Sequence, residues 1–291
     1  MSLRQRYAHV NPAAIDGEST NNPPSVRPIS IKSLLTREVG GERMLKITAK
    51  QQLMREIVDI LSVLTTEAKL VWGEKGLRVS VVDGSHVALL SATIADECFE
   101  TYEVEPVEIG LDLGKMRDLL TLAGPSDLVQ IDYDDAVGAI NVRVGEVLMI
   151  LRGIDTSTMD NPNQPELDFK SKATLGSEKL SRALRAAKFV GGEVDLSMDK
   201  NHLSVSVTVE AGEGVNVKFE SGELSDLVCE APTHSTYSLQ YLGDLTKKLA
   251  GGLTEEVSME FGEKYPLRLT WSSNEGGASW VYFLAPRIVN D

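Results

Sequence analysis

From residue 44 onward two kinds of hydrophobic pattern alternate along the chain. Stretches 77–82, 139–144, 147–151, 203–209 and 267–271 place apolar or β-branched residues at every second position, the signature of strands. Stretches 49–64, 111–120, 176–190 and 239–249 repeat their apolar residues at intervals of three and four, the signature of amphipathic helices. Four helices among many strands predict an α+β chain with extensive antiparallel sheet.

The pattern then repeats. The helix at 111–120 has a counterpart at 239–249, and each is followed by a Gly-containing break and a strand, 127–133 and 256–261. Upstream, 49–64 matches 176–190, in the same order and at nearly the same offset. Self-similarity at one spacing predicts two copies of one unit. Each copy reads strand, helix, several strands, second helix, more strands. Residues 155–166, with Asn161, Pro162 and Pro165, suit a connection between the copies. The resulting division is a flexible extension over 1–43, a first domain over 44–153, a linker over 154–166 and a second domain over 167–291.

Composition changes this picture little. A hydrophobic fraction of 42% over 291 residues is ample for a core, and aromatics at 5% mean that it is built from aliphatic side chains. No apolar run approaches the ~18 residues of a membrane span, and no secretory signal core opens the chain. Two cysteines, Cys98 and Cys229, form neither a disulfide framework nor a zinc spacing. They read as small core residues, and a reducing, cytoplasmic setting is expected. Residues 1–43 carry six basic and four acidic residues around a Pro/Asn-rich stretch. Two readings stand for them: a tether that touches DNA or a partner, or a disordered extension or unused upstream start, since Met44 begins the first ordered pattern.

Charge changes it more. The net charge is −14, which taken alone argues against a nucleic-acid partner. The helices run the other way. At about 100° per residue, Lys179, Arg182, Arg185 and Lys188 occupy one arc of the 176–190 helix, and Leu180, Ala183, Leu184, Ala187 and Val190 occupy the opposite one. Phe189 breaks the basic arc. With Lys50, Arg55, Lys115, Arg117, Lys247 and Lys248, the four helices hold ten basic residues against six acidic ones: Glu56, Asp59, Asp112, Asp118, Glu178 and Asp244. Lys and Arg are good helix formers and need no ligand to explain them on one helix. On four helices of an acidic chain they point to a shared electropositive surface, suited to sequence-independent phosphate contact and not to base readout.

Motifs for catalysis are missing from the sequence. It contains no phosphate-binding loop, nucleophile elbow or H-E-x-x-H pair. The acids Asp132, Asp134 and Asp135 lack calcium-loop spacing and fit a strand end, and the four histidines are scattered. No enzymatic activity, metal or cofactor is expected.

Three segments carry a resemblance. Val82-Asp83-Gly84-Ser85-His86-Val87-Ala88-Leu89, followed by Phe99-Glu100-Thr101-Tyr102, resembles the signature loop of the proliferating cell nuclear antigen family, the archaeal and eukaryotic sliding clamps. Phe283-Leu284-Ala285-Pro286-Arg287-Ile288 is similar to that family's C-terminal Leu-Ala-Pro motif, and the linker resembles archaeal forms. The likeness runs from Met44 to the end of the chain. It implies a homotrimeric ring of two-domain subunits, with helices around duplex DNA and sheets outside. It implies a processivity factor that tethers DNA polymerase, the clamp loader and other replication and repair proteins; the alternative is a subunit of a heterotrimeric or specialised clamp.

By matching positions, Arg55, Lys115, Arg117, Arg182, Arg185 and Lys247 would face DNA. Lys50, Lys179, Lys188 and Lys248 join them from the wheel and from proximity. Glu56 stands where the human-type sequence has a lysine, and is expected to weaken the field of the first helix. The resemblance also implies a partner-peptide groove of Val82, His86, Val87, Leu89, Met159, Pro266, Phe283, Ala285 and Pro286. Subunit contact would run through edges near 146–151 and 215–221.

Overall fold

The computed structural model describes residues 44–209 and 212–288. The readings made for 1–43 lie outside the described residues. Eighteen strands and four helices fill them, in an order that states the repeat directly. The first copy is β1 (Leu45–Lys50), α1 (Gln51–Leu61), β2 (Glu67–Gly73), β3 (Gly76–Val82), β4 (Ala88–Ala95), β5 (Thr101–Val104), β6 (Val107–Asp112), α2 (Leu113–Leu120), β7 (Leu128–Asp134), β8 (Ala139–Val144) and β9 (Val147–Arg152). The second is β10 (Ser171–Gly176), α3 (Ser177–Lys188), β11 (Glu193–Met198), β12 (His202–Thr208), β13 (Gly214–Glu220), β14 (Asp226–Cys229), β15 (Thr233–Ser238), α4 (Leu239–Lys248), β16 (Glu256–Glu260), β17 (Leu267–Ser273) and β18 (Ala278–Leu284). The predicted helices and strands all appear, with ends shifted by at most three residues.

Alternation explains the strands. In β1, Leu45, Ile47 and Ala49 are buried while Lys46 and Lys50 face water. The predicted apolar arc of α3 holds: Leu180, Ala183, Leu184 and Ala187 are all buried. Each such leucine contributes about 2 kcal/mol of transfer free energy. Gly76, at φ +120°, turns β2 into β3, and a Cβ there would lie 2.0 Å from the Ile94 carbonyl oxygen. Side chains are therefore excluded at that corner.

The two copies share their hydrogen bonds as well as their order. The Leu113 amide donates to the Thr66 carbonyl and the Leu239 amide to that of Gly192; the Glu100 amide donates to Thr48 and the Ser225 amide to Thr174. In the first copy the sheets run β5-β1-β7-β8-β9 and β4-β3-β2-β6. In the second they run β14-β10-β16-β17-β18 and β13-β12-β11-β15. One pairing joins the copies. β18 lies antiparallel to β4, from Ala278 opposite Ile94 to Leu284 opposite Ala88, and makes one nine-stranded sheet. The strands that match these two by position are β9 and β13. Both are sheet edges, so among the described residues the edge that is paired inside the chain in one copy is left without a partner strand in the other.

The helices lie side by side, α1 against α2 and α3 against α4, and α1 also meets α4 across the copies. One hydrophobic cluster runs through both copies. Cys229 belongs to it, while Cys98 is only partly buried at its margin.

Candidate nucleic-acid interface and partner groove

Asp112 starts α2 by accepting the Lys115 amide at 2.9 Å. The other three helices begin without a side-chain cap. Neighbouring backbone takes over there: the Gln51 amide donates to the Asp127 carbonyl at 2.8 Å, and the Ser177 amide to the Glu255 carbonyl at 2.9 Å. The helices are thus fixed by the sheets beneath them, and their polar arcs are left to solvent.

The ten predicted cations are not equivalent. Arg117 reaches Asp59 at 3.1 Å, Lys248 reaches it at 3.3 Å and Arg55 at 3.7 Å, so one carboxylate on α1 gathers a cation from each of three helices. Lys115 pairs with Asp112 at 3.3 Å and Lys50 with Glu100 at 3.7 Å. Lys179 is half-buried and donates to the Glu223 carbonyl at 3.3 Å. Among the described residues Arg182, Arg185, Lys188 and Lys247 have no carboxylate within ion-pair distance. Arg182, Arg185 and Lys247 line one cleft of about 420 Å³ between α3 and the end of α4. The first copy therefore holds all four of its predicted cations in ion pairs, whereas four of the six in the second copy, Arg182, Arg185, Lys188 and Lys247, have no carboxylate partner among the described residues.

Glu56 corrects an expectation. Its carboxylate does not weaken the basic face, because it points away from that face into the protein and is only 4% exposed. It accepts from the Ser273 hydroxyl, from Asn274 Nδ2 at 3.1 Å and from Trp280 Nε1 at 3.1 Å. Those donors sit on and after β17 and in β18, so Glu56 ties α1 to the second copy. Burial raises its pKa, and the three donors oppose that rise.

A second site lies where β4, β18 and the connection between the copies meet. The loop after β3 turns around Asp83, which accepts the amides of Ser85, Val87 and Ala88 at 3.0, 2.7 and 2.7 Å. His86 takes a left-handed φ of 55° inside this turn. Tyr241 on α4 donates to the same carboxylate at 2.8 Å, so the loop is fixed to the second copy. Burial raises the Asp83 pKa, but the donors, that of Ala88 foremost and then Tyr241, outweigh it and leave it below the ordinary value.

Beside the loop is a cleft of about 550 Å³. Of the residues assigned to a peptide groove, Val82, His86, Val87, Leu89, Pro266, Phe283 and Ala285 line it. Met159 and Pro286 do not. The Met159 amide closes a turn onto the Thr156 carbonyl before the chain reaches the cleft, and the Arg287 amide pins the tail after β18 to the Thr236 carbonyl of β15. The lining also includes Pro162 and Pro165, which the sequence assigns to the linker, and Leu167, the first residue of the second domain. The signal was there: prolines hold an extended backbone, and Leu167 is an apolar residue in a polar stretch.

Two family models match the chain, "Proliferating cell nuclear antigen, N-terminal domain" over residues 44–147 and the corresponding C-terminal domain over residues 163–287. The chain belongs to the proliferating cell nuclear antigen family. Among the relatives of this clamp-family chain is a protein named DNA polymerase sliding clamp from Methanocorpusculum labreanum. It is 30% identical over 251 residues, which cover 85% of this chain and all of the relative. Another of that name, from Methanothrix thermoacetophila, is 32% identical over 248 residues, 84% of this chain and 99% of the relative. A solved structure described as the C-terminal region of FEN-1 bound to A. fulgidus PCNA superposes with a TM-score of 0.79 at 25% identity, covering 85% of this chain and all of that one. PCNA from Thermococcus kodakaraensis has the same fold, with a TM-score of 0.77 at 23% identity over 84% of this chain and all of its own.

Sequence reasoning missed Asp59 and Asp83. Asp59 was counted only as a negative charge on a helix. Its spacing, four residues after Arg55, signalled one of its three ion pairs, and the other two come from different helices. Asp83 was quoted inside the signature loop without a role. An Asp two residues before a Ser in a turn marks an Asx-type arrangement.

Proposed function

We propose that the chain is a DNA sliding clamp: copies close into a homotrimeric ring, the four helices of each line its hole around duplex DNA, and the cleft beside β4 and β18 captures peptide segments of DNA polymerase, the clamp loader and other replication and repair proteins. The observation that carries this reading is the junction of β18 with β4, together with the free edges β9 and β13 at the matching positions. A head-to-tail pairing of β9 on one copy with β13 on the next repeats the internal junction between chains. Such a heterologous contact closes into a ring when its rotation closes. The domains in that ring are 44–153 and 167–291, joined by 154–166, and the ring does no chemistry of its own.

The charge distribution supports threading. Arg182, Arg185, Lys188 and Lys247 offer exposed, screened contacts, none deep enough to stop sliding. Lys50, Arg55, Lys115, Arg117 and Lys248 share that surface in partly neutralised form, and Lys179 is held against the Glu223 carbonyl. Retention then comes from closure and not from affinity. The apolar cleft beneath Pro162 and Pro165 suits a peptide with an aliphatic or aromatic anchor. The relative from A. fulgidus, described with a FEN-1 segment bound, supports that use. No helix among the described residues is long and apolar enough to cross a membrane, and a DNA-associated cytoplasmic location fits.

The test is a loading assay with the purified chain and a clamp loader. The protein is expected to stay on nicked circular DNA and to leave the same DNA once it is linearised. Equal loss from both forms overturns the reading. A chain that stays monomeric at micromolar concentration and assembles only with paralogues makes it one subunit of a heterotrimeric clamp.

A further inference from the structure

The end of α3 exposes a large apolar side chain. Phe189 is 91% accessible, directly after Lys188 and four residues after Arg185. On the first copy Leu122, just beyond α2, is 60% accessible. Neither is covered by another of the described residues.

The repeat supplies what covers them. α1 and α3 begin 126 residues apart, at Gln51 and Ser177, and so do α2 and α4, at Leu113 and Leu239. At that offset Arg185 on α3 stands where α1 has Asp59, and Phe189 stands where the first copy has Val63. Leu122 stands where α4 has Lys248. Across the internal junction Asp59 and Lys248 meet at 3.3 Å, and Val63 packs against the core. The matching positions of a β9–β13 junction would bring Leu122 of one copy to Arg185 and Phe189 of the next. The chemistry is consistent: a lysine at 122 would face Arg185 with like charge, and the residue there is leucine.

We propose that Phe189 packs on Leu122 of the next copy and seals the helix layer of the subunit junction, so that Phe189 is an assembly residue and not a DNA contact. The proposal rests on the ring reading above. Its occupant follows from continuity with the junction that the chain builds inside itself, where the helix ends meet beneath the paired strands. Val147 and Ile150 on the β9 edge are also exposed apolar residues, so the patch at that end extends from strand to helix.

The test measures the assembly constant of the full chain by sedimentation equilibrium for wild type, Phe189→Ser, Leu122→Ser and the double variant. Both positions are exposed in the isolated chain, so the substitutions leave its fold intact, and thermal melting checks this. Each single variant is expected to weaken assembly about tenfold or more, and the double variant no further than the stronger single. Wild-type assembly with an unchanged constant for Phe189→Ser overturns this inference alone. A wild type that never assembles overturns it together with the ring. Phe189→Ser rings that assemble normally but leave nicked circular DNA faster overturn it in favour of a nucleic-acid contact.

Discussion

The unequal pairing of the helix cations makes a quantitative difference between two otherwise matched double substitutions. Arg182 and Arg185 have no carboxylate partner among the described residues, and they share one cleft with Lys247. Arg55 and Arg117 share Asp59 with Lys248 at 3.1–3.7 Å. A cation that meets a phosphate releases its counterions, and the logarithm of the binding constant falls with that of salt by about 0.9 per contact. Removing Arg182 and Arg185 together should flatten that slope by about 1.8. Removing Arg55 and Arg117 takes away two cations already partly neutralised and leaves Asp59 to Lys248, so the slope should change by less than about 1. Fluorescence anisotropy of a labelled duplex across a KCl series reads both slopes, with sedimentation run alongside to show that assembly is unchanged. A domain 1 double variant that flattens the slope as much as the domain 2 variant refutes the reasoning, because ion pairs to Asp59 would then not compete with phosphate.

Three further outcomes are expected. Glu56 has its pKa raised in the folded chain, so wild type should gain stability as pH falls through that raised value toward the ordinary carboxylate range; Glu56→Gln should lose this gain, and urea melts that give the two chains parallel pH profiles would count against it. Asp83→Ala leaves three loop amides and the Tyr241 hydroxyl without their acceptor and should cost about 2–4 kcal/mol in urea unfolding, against about 1 kcal/mol for Tyr241→Phe; equal losses would mean that the carboxylate does not organise the loop. Leu89→Ser, in the wall of the cleft, should weaken binding of a clamp-binding peptide at least about tenfold by calorimetry while sedimentation stays unchanged, and unaltered affinity would move the peptide site elsewhere.

The sequence disclosed whatever is periodic. Strand alternation in β8 and β17, the apolar arc of α3 and the doubled order of elements all repeat at short intervals, so they are visible without coordinates. The cleft was legible where a contiguous loop forms it, from Val82 to Leu89, and at Phe283 and Ala285. Met159 and Pro286 do not line it, although their neighbours Asp160 and Ala285 do. Charges were the hardest. Glu56 and Asp59 lie three residues apart on one helix, yet one enters the protein and the other gathers arginines and a lysine. What separates them is the placement of Ser273, Trp280 and Lys248, more than 180 residues downstream, which no local pattern encodes.

That same long-range placement makes the junction inside the chain differ from the one proposed between chains. Two identical domains would present identical helix faces, and every junction would be alike. Here α1 carries acids at the positions where α3 carries arginines, and α4 carries a lysine where the first copy has Leu122. The junction inside the chain is therefore an ion pair and a buried carboxylate, already satisfied, and it cannot exchange with the one between chains without burying an unpaired charge. The α3 arginines are released from pairing by this difference and remain free to meet phosphate. One divergence between the copies thus both distinguishes the internal junction from the proposed one and leaves Arg182 and Arg185 without a carboxylate partner among the described residues, as the proposed contact with DNA requires.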